Sequence, residues 1–102
     1  MNGARPGRPL LDELGRLIVE GRDAASYLWQ VPDDGAARAR LAEVVAQIRE
    51  LSAKRGRREM PRICEELEAA ARVSPSPQQV SILQDGFDRL YKLWEAAKSG
   101  LI

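Results

Sequence analysis

Histidine is absent from the 102 residues. That absence removes imidazole general bases, histidine metal ligands and phosphohistidine chemistry. Cysteine occurs once, as Cys64. A single thiol excludes an internal disulfide framework and any multi-cysteine zinc site. Aromatic residues make up only 5% of the chain, and no apolar run approaches the ~18 residues of a membrane span. The stretch from Met1 to Pro9 carries Arg5 and Arg8 and lacks an apolar core, so it does not read as a secretory signal. A cytoplasmic protein is the expectation. An excess of one charge is missing too. The formal net charge is +1, so no global field holds nucleic acid or an anionic membrane.

What remains is the balance of a folded domain, with 44% hydrophobic and 30% charged residues and a length suited to one domain. Breakers fall at Met1–Pro9, at Val31-Pro32-Asp33-Asp34-Gly35, weakly around Gly56, and at Val73-Ser74-Pro75-Ser76-Pro77. Residues 1–8 are expected to form a flexible tail and 9–102 a single domain. Between the breakers, apolar residues recur three and four apart, the period of an amphipathic helix. The predicted helices are Pro9–Gln30, Ala36–Arg55, Glu59–Arg72 and Pro77–Lys98. Asp33 or Asp34 is placed to cap the second. Ser76, with Pro77 after it and Gln79 three residues on, reads as a capping box for the fourth. Gly15 and Gly21 each weaken the first helix by about 1 kcal/mol against alanine. No segment alternates with period two. Four helices with one apolar stripe each, joined by short connections, predict an all-α, antiparallel up-down-up-down four-helix bundle. Trp29, Phe87, Tyr91 and Trp94 are expected to supply much of its core volume.

Few residues suggest chemistry. Cys64 shares the third stripe with Met60, Ile63 and Leu67 and reads as a buried small hydrophobe. Glu65, Glu66 and Glu68 read as a solvated face, and no metal or cofactor site is expected. Between Arg49 and Arg62 six cations stand against Glu50 and Glu59. With no recognition helix or interleaved aromatics, that cluster favours an acidic protein partner over nucleic acid. On the second helix, Ala39, Ala42, Ala46, Arg49 and Ala53 fall opposite the apolar stripe. Alanine is the best helix former, so this strip reads either as plain helix or as a flat docking surface.

The stretch Val45 to Gly56, followed by Met60 through Ala71, resembles the core of a bacterial histidine phosphotransfer domain. That family reads His-x-Leu-Lys-Gly-Ser/Ala-Ala, with a further glycine six residues after the first. A helix close to Leu-x-x-Leu-Cys-x-x-Leu-Glu comes next. Set on Gly56 and on Ile63-Cys64-Glu65-Glu66-Leu67-Glu68, the register needs no gap, and the likeness covers about residues 32 to 72. It implies the same four-helix bundle. It also implies that the phosphoaccepting position is Ala46, that the family's lysine is Arg49, and that its next glycine is Glu50. An alanine methyl takes no phosphoryl group, so the resemblance implies a degenerate, non-catalytic member of two-component signalling. Its partner would be a response-regulator receiver domain or a histidine kinase, met by Ala42, Ala46, Arg49, Glu50, Ala53 and Arg57. The alternative is a structural or oligomerisation bundle with no phosphorelay partner, for example a homodimer. The arginine- and alanine-rich composition points to a G+C-rich genome, hence a bacterium.

Overall fold

In the computed structural model residues 8–100 are described, Arg8 by its backbone alone. The tail expected over residues 1–8 therefore lies outside the described residues, except at Arg8, which already opens the first helix. Four helices follow: α1 Arg8–Leu28, α2 Gly35–Ala53, α3 Glu59–Ala71 and α4 Pro77–Lys98. No strand occurs among the described residues, and no helix there is long and apolar enough to cross a membrane.

Two of the helices, α2 and α4, start at a side-chain cap. Asp34 Oδ1 accepts from Ala37 N at 2.8 Å and caps α2. Ser76 Oγ accepts from Gln79 N at 3.0 Å and caps α4, with Pro77 at its first position. Such caps contribute about 1 kcal/mol each. The second half of the expected capping box is not made. Gln79 turns inward instead, and its Nε2 donates to the carbonyls of Ala70 at 2.9 Å and Val73 at 2.8 Å. Gly56 leaves α2 through a turn at φ 75°, a left-handed conformation that favours glycine.

The four stripes meet in one core, to which each helix contributes a comparable set. It holds Leu14, Leu17, Ile18, Ala25 and Leu28 from α1, and Leu41, Val44, Val45 and Ile48 from α2. Met60, Ile63, Cys64 and Leu67 come from α3, and Val80, Leu83, Phe87 and Leu90 from α4. Each helix packs on two neighbours: α1 on α2 and α4, α3 on α2 and α4. Among the described residues α1 and α3 make no close backbone approach, nor do α2 and α4. The packing is that of a bundle.

The aromatic expectation needs correction. Phe87 alone is fully buried. Tyr91 and Trp94 are half-buried and pack on the margin of the core, their rings 5.6 Å apart. Trp29 is 45% exposed, with its indole N–H donating to Gln84 Oε1 at 2.6 Å. It falls one residue beyond the end of α1, where the helical period no longer turns a side chain inward.

The glycines of α1 also act differently from the expectation. A Cβ built on Gly21 would lie 2.0 Å from Phe87 Cε1, and one on Gly15 2.4 Å from Trp94 Cζ2. Both are notches that let a ring of α4 lie against the backbone of α1. The Gly15 notch also lets Trp94 Nε1 reach the carbonyl of Leu11 at 2.7 Å.

These contacts set the sign of two substitutions. Overpacking a core costs about 1–3 kcal/mol, which outweighs the ~1 kcal/mol that alanine gains over glycine in a helix. Gly21→Ala is therefore expected to lower the urea midpoint, by about 1 kcal/mol of stability. Gly35→Ala, where nothing lies within 4 Å of the added Cβ, is expected to leave the midpoint unchanged or raise it by a few tenths of a kcal/mol.

Candidate functional site

The outer face of α2 is the surface the sequence singles out, and its orientation follows from what the other faces do. Leu41, Val44, Val45, Ile48 and Ser52 are buried, which fixes the inward side. On the α1 side, Arg40 pairs with Glu20 and Glu43. On the α3 side, Arg49 Nε donates to Glu68 at 3.2 Å. Between these flanks Ala39, Ala42, Glu50 and Ala53 are exposed. Ala46, near the middle of the helix, is half-buried and lies outside the core.

Six side chains were expected to form one contact surface, and the structure distributes them over three settings. Ala42 and Ala46 belong to the smooth strip. Arg49 borders it, tied to Glu68 on α3 rather than free. Glu50 leans toward α1, where it lines a shallow depression with Glu13, Arg16, Leu17, Gln47 and Leu51. There the Arg16 guanidinium, hydrogen-bonded to Glu13, holds that carboxyl below its ordinary range. Ala53 and Arg57 sit at the end of the strip, in an open basin with Gly56, Arg58, Pro61, Arg62 and Glu65. The basic cluster is real in space at this end. Lys54, Arg55, Arg57, Arg58 and Arg62 form no salt bridge among the described residues, whereas Arg49 does.

Two side chains matter here: Arg38, to which the sequence assigns no role, and Glu68, which the sequence places on a solvated face but which is partly buried and paired. Arg38 projects from the first turns of α2 toward α3 and α4. Its Nη1 donates to Gln79 Oε1 at 2.7 Å and to the Pro32 carbonyl at 3.3 Å. Its Nη2 donates to the carbonyls of Val73 at 3.2 Å and Ala71 at 3.4 Å. This guanidinium has no carboxylate among those partners; it sits at the C-terminal end of α3, where free carbonyls and the helix dipole favour a cation. Glu68 is the second, since it decides where Arg49 points. Neither pairing has a signal in sequence, because both join residues far apart in the chain.

Cys64 behaves as a core residue. It is fully buried, and burial, reinforced by the charge of Glu68, pushes its thiol up to about 12. Among the described residues no three His, Cys, Asp or Glu side chains converge in a way that could hold a metal ion. The arrangement around α2 offers a surface with methyl groups, a cation and a nearby basic rim. No protein family, curated protein or solved structure matches the chain.

The thiol gives a direct check. A folded-state value near 12 against the ordinary 9.0 means that the unfolded chain releases its proton first as pH rises. Stability should therefore fall from about pH 9 to about pH 12 more steeply than in Cys64→Ala. At pH 8, Ellman's reagent is expected to label the native protein at least ~100-fold more slowly than the urea-unfolded chain.

Proposed function

We propose that this chain is a degenerate histidine-phosphotransfer-like bundle, antiparallel in up-down-up-down order, that docks a receiver domain or histidine kinase without carrying a phosphoryl group. The antiparallel order is supported by which residues meet. Along α1 and α4, Leu11 meets Trp94 and Gly21 meets Phe87; along α2 and α3, Arg38 meets Ala71 and Arg49 meets Glu68; along α3 and α4, Glu66 meets Arg89 and Ala70 meets Gln79, so in each pair one helix rises in number as the other falls.

The observation that carries the functional reading is the position of Ala46. It lies at the surface in mid-α2, outside the core, with exposed Ala42, Arg49, Glu50 and Ala53 around it. The resemblance assigns the phosphoaccepting side chain to this position. Docking depends on a surface and survives the loss of one side chain; relay depends on a nucleophilic nitrogen and does not. The alanines permit close approach of a partner helix. Arg49 and the basic rim that includes Arg57 suit the acidic mouth of a receiver domain.

The test is a titration of the protein against receiver domains, each with and without beryllofluoride as a phosphoryl mimic. Saturable binding to at least one is expected. Ala46→Arg and Arg49→Glu should each weaken it tenfold or more, as substitutions in the centre of an interface do. Circular dichroism should show both variants folded. Undiminished binding by both variants, or no binding to any receiver or to any histidine kinase titrated in the same way, would overturn the reading. Incubation with a phosphorylated receiver should leave no acid-labile phosphate on this chain, and its appearance would overturn the non-catalytic part.

A further inference from the structure

The end of the bundle where α2 turns into α3 carries a charge that the other faces lack. Arg16, Arg22, Arg40, Arg49 and Arg89 each meet a carboxylate. Arg38 is spent on the carbonyls of Pro32, Ala71 and Val73. Lys54, Arg55, Arg57, Arg58 and Arg62 meet no carboxylate among the described residues. All but the half-buried Arg55 are exposed. Two carboxylates stand against these five cations. Glu59 lies between them in the chain, and Glu65 lines the open basin that holds Arg57, Arg58 and Arg62. The other acids of this region are engaged elsewhere. Glu66 pairs with Arg89, Glu68 pairs with Arg49, and Glu50 lines the depression on the α1 side.

The place of this patch sets what it can do. From Ala46 to Ala53, α2 rises about 10 Å. Ala53 is the last strip residue on α2 and already lines the basin. Lys54 follows it, and Arg58 and Arg62 belong to the start of α3. They therefore lie beyond the strip, at about one screening length from its centre in 0.1 M salt. At that range a charge adds little to a seated contact and much to the approach of a charged partner, because attraction before docking acts on the encounter. The excess is positive, so the partner it selects presents an acidic surface. No aromatic residue lines the basin or lies in the turn to stack a base, which disfavours single-stranded nucleic acid.

We propose that the patch steers an acidic partner onto the α2 strip. Lys54, Arg58 and Arg62 set how fast the complex forms and contribute little to how long it lasts. This inference rests on the docking reading above and adds to it a kinetic role for residues outside the strip.

The test is stopped-flow mixing with a receiver domain or histidine kinase that binds in the titration above. The triple variant Lys54→Glu, Arg58→Glu, Arg62→Glu alters none of the six strip residues. At about 10 mM salt, where the screening length is about 30 Å, it should associate about tenfold or more slowly than the parent. At about 0.5 M salt the two association rates should agree within about twofold. Its dissociation rate should stay within about twofold of the parent's at both. The charge-conserving triple Lys54→Arg, Arg58→Lys, Arg62→Lys should associate like the parent throughout. Lys54→Glu alone, whose exposed position leaves the fold untouched, should slow association at low salt about twofold or more. An unchanged association rate at low salt, a slowing that persists at high salt, a slowing shared by the charge-conserving triple, or a loss confined to faster dissociation would overturn this inference and leave the docking reading standing. Binding to no receiver and no kinase would overturn both. Tighter binding of a duplex oligonucleotide than of any receiver or kinase would overturn it in favour of a nucleic-acid surface.

Discussion

The most demanding constraint in this bundle is the side chain of Gln79. It is only 1% exposed, at the start of α4 and beside the apolar layer formed by Val80 and Leu83. A buried amide without partners costs several kcal/mol in an apolar setting. Here every polar atom of the amide is used. Nε2 donates to Ala70 and Val73, and Oε1 accepts from Arg38. Arg38 in turn ties down the carbonyls of Pro32, Ala71 and Val73. One amide and one guanidinium thus join α2, the end of α3, the α3–α4 connection and the loop before α2. No buried side-chain nitrogen or oxygen among the described residues is left without a partner. The network also has a consequence for the surface. It anchors the first turns of α2 in the rotation that the burial of Leu41, Val44, Val45 and Ile48 sets, which leaves Ala42 exposed and Ala46 half-buried.

The opposite end of the α1–α4 pair is held by shape. Gly15 and Gly21 lie 1.5 to 2 turns apart on α1 and receive Trp94 and Phe87 of α4. Dispersion contacts of a flat ring on bare backbone are individually small and collectively large. Trp94 adds a directed hydrogen bond to Leu11, and Lys98 Nζ lies 4.4 Å above its ring. Arg22 covers Tyr91 in the same way at 4.4 Å. The sparse aromatic content is therefore concentrated on one helix pair. The α2 and α3 sides are aliphatic and carry none of it.

This division explains what could be read in advance. Helix number, type and boundaries follow from period and punctuation, which are local: Asp34 and Ser76 announce their helices within three residues. The core positions follow equally, because a stripe at spacing three and four can face only one way. What was misread depends on partners distant in sequence. Gly15 and Gly21 read as defects because the rings that need them lie more than sixty residues away. Gln79 read as half of a local box because nothing nearby shows Arg38 waiting for its oxygen. The candidate site divides along the same line. That Ala42, Ala46 and Ala53 share a face was legible from spacing alone, whereas the capture of Arg49 by Glu68 and the turning of Glu50 toward α1 required the neighbours.

The balance of charge gives the last step. Exposed ion pairs contribute little to stability, with a median of about 0–1 kcal/mol. The pairs of Arg16, Arg22, Arg40, Arg49 and Arg89 therefore matter less for holding the bundle than for neutralising its sides. With those sides quiet, the unpaired cations of the α2–α3 turn stand out from a chain whose net charge is only +1. Like charges held together in the folded state repel, so this end of the bundle carries an electrostatic cost that the packing of the four helices offsets.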